Sequence, residues 1–114
     1  MESCGGLERV GDLVPEAGDP LENLARRYLD IPCACMTPNP ARLDLLRTII
    51  RDYRIDGVVE LTWDGCHTYN IEAFQVEECI GATGLPYLHI ITDYSENDTG
   101  QLKTRIEAFL ELLN

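Results

Sequence analysis

The sequence predicts an α/β fold: part of a doubly wound (Rossmann- or flavodoxin-like) parallel sheet, with two or three strands and about four helices. Three observations predict it. Two short runs, "DGVVELTW" and "LPYLHIIT", are β-branched and nearly continuous in hydrophobicity, as strands covered on both faces should be. Stretches of helical periodicity, three of them opened by recognisable start signals, flank and separate these runs. The resulting order of helix, strand, helix, strand, helix calls for parallel strands joined by right-handed crossovers. At 114 residues the chain is expected to form one domain over residues 1–114, burying about 65% of its unfolded surface.

In chain order, "GLERVGD" is a candidate short first strand. "DPLE" then sets Asp19 as an N-cap, Pro20 at the first helical position and Glu22 as capping-box partner. Leu21, Leu24, Ala25 and Tyr28 give this helix an apolar stripe. "CACMTPNP" is a loop, and Asn39 with Pro40 opens a second helix whose inner positions are Leu43, Leu46, Ile49, Ile50 and Tyr53. After the first clear strand comes a helix over residues 69–82, less clearly capped, with Ile71, Phe74, Cys79 and Ile80 as inner positions. The second clear strand leads to a helix opened by Asp98 and Gln101, burying Leu102, Ile106, Phe109, Leu110 and Leu113.

Composition narrows the functional classes. A net charge of −11 argues against nucleic acid as a partner, because phosphate binding needs a basic surface. It also leaves any anionic ligand dependent on local Arg or Lys. No apolar run approaches the ~20 residues of a membrane span, and the start "MESCGGLERVGD" has no signal-peptide pattern, so a cytoplasmic location is expected. The five cysteines (Cys4, Cys33, Cys35, Cys66 and Cys79) are odd in number and do not suggest a disulfide framework. No Walker loop, G-x-G-x-x-G or H-E-x-x-H occurs.

In doubly wound sheets function gathers at the carboxyl ends of the strands. That places Asp64, Gly65, Cys66 and His67 after one strand, and Thr92, Asp93, Tyr94 and Ser95 after the next, facing one crevice. A thiolate at a helix N-terminus is favoured by the dipole and suits metal ligation or redox chemistry. Gly65 would let backbone approach a bulky group. Against this stands plain burial of a small residue at a strand end. Cys33 and Cys35, one residue apart, could complete a zinc site with Cys66 and His67. Cys79 reads as core, and His89 as a core histidine with a hydrogen-bond partner. Asp93 suits a polar contact or the start of a turn.

From about residue 19 to 113, through "DPLENLARRYLDIPC", "DGVVELTWDGCHTYNIEAFQVE" and "GLPYLHIITDYSENDTGQLKTRIEAFLELL", the chain resembles the C-terminal part of 2-hydroxyacyl-CoA dehydratase subunits, the family that includes benzoyl-CoA reductase components. The resemblance implies a [4Fe-4S] cluster held by three cysteines, of which Cys66 is the one matched here and His67 its neighbour outside the ligand set. It implies radical dehydration of a 2-hydroxyacyl-CoA, after an ATP-dependent activator protein donates one electron. The implied partners are the other dehydratase subunit or a chain carrying the N-terminal domain. The family's other two ligands have no matching position here; Cys33 and Cys35 are possible substitutes. A truncated, split or degenerate piece, inactive alone, is therefore expected. The competing classes are a non-catalytic α/β interaction module and an independent thiol or zinc protein.

Overall fold

A computed structural model describes residues 11–93 and 95–113. Within them lie four helices and two strands: α1 (Pro20–Leu29), α2 (Pro40–Tyr53), β1 (Val58–Trp63), α3 (His67–Gly81), β2 (Tyr87–Thr92) and α4 (Thr99–Glu111). The α/β expectation holds. The strands pair in parallel, with Val58 opposite Tyr87 and Trp63 opposite Thr92. The candidate first strand lies almost wholly outside the described residues, and Gly11 and Asp12 at its end form a bend.

The chain divides into two units, one ending at Asn39 and one beginning at Pro40. In the first, α1 starts where its sequence says it should. Asp19 has extended backbone (φ −76°, ψ 120°), so its carboxylate turns back to accept from the Leu21 and Glu22 N–H groups at 2.8 and 3.2 Å. Glu22 does not close the capping box. Its carboxylate is taken by Arg26 one turn on, at 2.7 Å. The expected apolar stripe is not buried: Leu21, Leu24, Ala25 and Tyr28 are all exposed. Asn23 holds the preceding loop by donating to the Pro15 and Ala17 carbonyls. The groove between α1 and that loop, about 90 Å³, falls well below the roughly 300 Å³ at which small-molecule sites begin.

The second unit carries the sheet. Its core centres on Ile80, 0% exposed, with Ala73, Val76, Cys79, Ile90 and Phe109 also buried. Cys79 is core, as its position on the α3 stripe predicts. Ile71 and Phe74, expected inside, are exposed. The helix begins two residues earlier than the periodicity suggested and turns Glu72, Ala73, Val76, Cys79 and Ile80 inward instead. A polar contact accompanies this face: Glu72 meets Arg42 of α2 in a buried ion pair, Nε to Oε2 2.9 Å, and the guanidinium lies 4.9 Å from the centre of the Tyr69 ring. Arg42 is the one buried residue of α2, whose Tyr53 is exposed.

The last helix reverses the lesson of the first. Asp98 precedes α4 with φ −95° and ψ 1°, outside the extended region an N-cap needs, and its side chain makes no capping bond. Of the five apolar residues expected inside, Phe109 is buried and Leu102 partly so, while Ile106, Leu110 and Leu113 are exposed. Gly57, just before β1, makes room for the far end of α4: a Cβ there would meet Phe109 Cζ and Leu113 Cδ2 at 2.8 Å.

The expectation that both faces of both strands are covered fails on β1. Val59, Leu61 and Trp63, on one face, are 50%, 54% and 43% exposed. Helix α3 packs on both strands whereas α4 packs on β2 alone, so this face of β1 has no helix over it among the described residues.

Candidate functional site at the carboxyl edge

The two strands end together. The Asp64 N–H donates to the Thr92 carbonyl at 2.8 Å, extending the ladder one residue past β1. The loops after β1 and β2 therefore leave the sheet side by side, as the doubly wound pattern requires.

After Asp64 the chain must turn from strand to helix within two residues. Gly65 does this with φ +81°, a conformation that disfavours any side chain. No atom lies within 4 Å of where its Cβ would be, so its requirement is the backbone angle rather than close approach of a neighbour. Cys66 follows as the N-cap of α3. Its N–H donates to the Trp63 carbonyl at 3.0 Å, and its own carbonyl accepts from Asn70 N–H at 3.1 Å.

The Cys66 sulfur is not used as a cap. It is partly exposed, with the Thr68 hydroxyl 3.8 Å away. It stands at the positive end of the α3 dipole. His67 is the first residue of the helix and is exposed, its N–H donating to the Gly65 carbonyl.

On the neighbouring loop, Asp93 Oδ1 accepts from the Ser95 N–H at 2.6 Å. The hydrogen bonds from Ser95 hold the Asp93 carboxyl below its ordinary range. This is the turn expected there; Tyr94 lies outside the described residues. His89 has its partner: Nε2 lies 3.0 Å from Thr62 Oγ1 on the adjacent strand. On the same face the Tyr87 hydroxyl donates to Glu60 Oε2 at 2.6 Å. Burial, and then that bond to Glu60, push the Tyr87 phenol far above its usual value.

Two features were not legible as site elements in the sequence. The Asn70 Oδ1 atom, one helical turn after Cys66, is buried without a donor among the described residues. Its four-residue spacing from Cys66 puts it on the same side of α3 and was the available signal. The Arg42–Glu72 pair, which ties α3 to α2, left no local signal at all.

Cys33 and Cys35 belong to the first unit. The Cys33 backbone is tied into the loop by its N–H to the Ile31 carbonyl and by its carbonyl, which accepts from Met36 N–H and Asn39 Nδ2. Cys33 is partly buried and Cys35 exposed. Among the described residues no three His, Cys, Asp or Glu side chains gather closely enough to hold a metal ion. A cluster held by three cysteines needs three thiolates at one point. In the second unit Cys66 stands at the sheet edge, whereas Cys79 is buried in the far half of α3. The described residues thus fit one ligand position and not the whole set.

Residues 1–113 match the family described as 2-hydroxyglutaryl-CoA dehydratase, D-component, a match that reaches further toward the start than the resemblance read from residue 19. YjiM of Escherichia coli (strain K12), which carries the name of a dehydratase subunit, is 41% identical over 113 residues, covering 98% of this chain and 30% of that protein. The (R)-phenyllactyl-CoA dehydratase beta subunit of Clostridium sporogenes is 26% identical over 102 residues, covering 89% of this chain and 27% of that subunit. The chain spans less than a third of the length of these relatives. It belongs to the 2-hydroxyglutaryl-CoA dehydratase D-component family. Among the described residues no helix is long and apolar enough to cross a membrane.

Proposed function

We propose that this chain is a component of a 2-hydroxyacyl-CoA dehydratase in which Cys66 is one thiolate ligand to a [4Fe-4S] cluster, the remaining thiolates coming from other polypeptide of the assembly. The observation that carries the reading is the cysteine's station: a partly exposed sulfur, not spent on capping, at the start of α3 on the carboxyl edge of the sheet. Membership in the dehydratase family supports it. When bound, such a cluster supplies the one-electron chemistry of radical dehydration, after an ATP-dependent activator protein has delivered the electron.

The chain's own residues have a positioning task. Gly65 turns the backbone so that the Cys66 sulfur lies at the α3 N-terminus, where the helix dipole favours negative charge. The buried Arg42–Glu72 pair and the Arg42–Tyr69 contact tie that helix to α2. His67 stands beside the ligand without joining it. A lone thiolate does not hold four irons, so the isolated chain is expected to be inactive, and the full reaction belongs to the assembly with its acyl-CoA substrate, in the cytoplasm.

Anaerobic reconstitution with iron and sulfide tests this in a complex containing the missing ligands. Cys66→Ser should lose iron and the broad thiolate-to-iron absorption, while Cys79→Ser should alter stability alone. Equal iron in wild type and Cys66→Ser would remove Cys66 from the ligand set. Turnover of a 2-hydroxyacyl-CoA by the isolated chain with its activator, ATP and reductant would bring Cys33 and Cys35 back as ligands.

A further inference from the structure

The open side of β1 concerns assembly rather than chemistry. Two independent features meet there. One is the apolar face of Val59, Leu61 and Trp63, each about half exposed. The other is the free edge. Val58 N–H donates to the Pro86 carbonyl and Asp64 N–H to the Thr92 carbonyl. In a parallel ladder donors alternate, so the even-numbered residues of β1 serve β2 and the N–H groups of Val59 and Leu61 point away from it. Among the described residues the sheet ends at β1 on this side.

Parallel strands are stable almost only with both faces covered and with further strands beside them. We infer that β1 is an internal strand of a larger sheet, and that its free edge and apolar face seat a parallel strand and its covering helix from the remainder of a dehydratase subunit. The occupant follows from the relatives. This chain aligns almost from end to end, yet accounts for only 30% and 27% of their lengths, so the family carries more than twice as much further polypeptide that could meet this surface.

A second copy of the chain fits poorly. Each copy brings a net charge of −11, and two β1 edges related by a two-fold axis would run antiparallel. An open edge of this kind otherwise invites aggregation.

Hydrogen exchange, resolved by mass spectrometry over residues 58–63, tests the inference. It is compared in the full free chain and in a chimera where this chain replaces the matching stretch of the E. coli relative. The Val59 and Leu61 amides should exchange readily in the free chain and on the order of 100-fold more slowly in the chimera. Leu61→Lys should leave the melting midpoint of the free chain unchanged and abolish the protection in the chimera. Equal exchange in the two proteins overturns the inference, as does a chimera that fails to fold. So does protection already present in the free chain: independent of concentration, it would assign the edge to the chain's own first ten residues; concentration-dependent, to a second copy. The inference rests on family membership and not on the role of Cys66, so a Cys66→Ser chimera should keep its protection whatever its iron content.

Discussion

Helices α1 and α3 are opposites. The first has every local signal: Asp19 capping two N–H groups, Pro20 at the first position, an i,i+4 Glu22–Arg26 pair, and basic residues in its last turn. It buries nothing. The second has no side-chain cap, no acidic residue in its first turn and no basic residue in its last, yet it buries five residues including the most enclosed side chain described. Helix α1 stands on its own caps and on contacts with the loop before it, where Arg27 reaches Asp12 and Asn23 reaches Pro15. Helix α3 stands on the sheet and on α2. The candidate ligand Cys66 sits at the start of the second kind, so its placement depends on distant partners as well as on its own segment.

The sharpest way to break α3 is through Glu72. Removing one partner of a buried ion pair leaves the other charge without compensation, so Glu72→Ala should cost about 3–5 kcal/mol in denaturant unfolding. The double change Arg42→Met, Glu72→Leu should recover most of that stability. If Glu72→Ala melts like wild type, the pair does not tie α3 to α2.

Within α3 the inward and outward positions should separate cleanly. Ile80→Ala removes a side chain that is 0% exposed and should cost about 2–5 kcal/mol. Phe74→Ala, though it removes a larger side chain, should stay within about 0.5 kcal/mol in the free chain because the ring is exposed. Comparable losses from the two would return Phe74 to the core, where its spacing first suggested it.

The caps give a smaller contrast. Asp19→Ala should cost about 1 kcal/mol of helix stability, read from the far-ultraviolet helical signal. Asp98→Ala should stay within about 0.5 kcal/mol, since its backbone leaves the carboxylate no capping bond.

The last effect is silent at neutral pH. Tyr87 has a folded-state pKa raised above its unfolded value by burial and by Glu60. It therefore contributes no loss below the unfolded value of about 10. Stability should fall as pH rises from there toward the folded value, because the unfolded chain gives up the proton first. Ultraviolet titration of the folded protein at about pH 11 should show a tyrosine that stays protonated, and Tyr87→Phe should remove it. Complete ionisation of all five tyrosines in the folded chain would contradict the Glu60 contact.

The residues around the candidate site divide the same way. That Cys66 opens a helix at a strand's carboxyl end was legible, because a hydrophobic run ending in Asp-Gly must turn and the stretch after it has helical period. That its sulfur stays free of capping was not legible, nor was the buried Asn70 oxygen one helical turn on, which has no donor among the described residues. The first depends on the backbone angles of Cys66 itself and the second on which face of α3 is buried, and a buried charge pair between residues thirty positions apart writes no periodicity in either segment.

What short-range chemistry decides was legible along the chain: which segments become helices and strands, that two strands run parallel, and the family to which the chain belongs. Capping bonds, proline geometry and β-branched runs act within a few residues, so they can be read along the chain. Which faces those segments bury was settled by packing in three dimensions. It put Glu72 inside and Phe74 outside, withheld the cap from Asp98, and left Val59, Leu61 and Trp63 open on β1. Burial is a property of the neighbours a residue meets in space, and a pattern of apolar residues names a face without saying what will cover it.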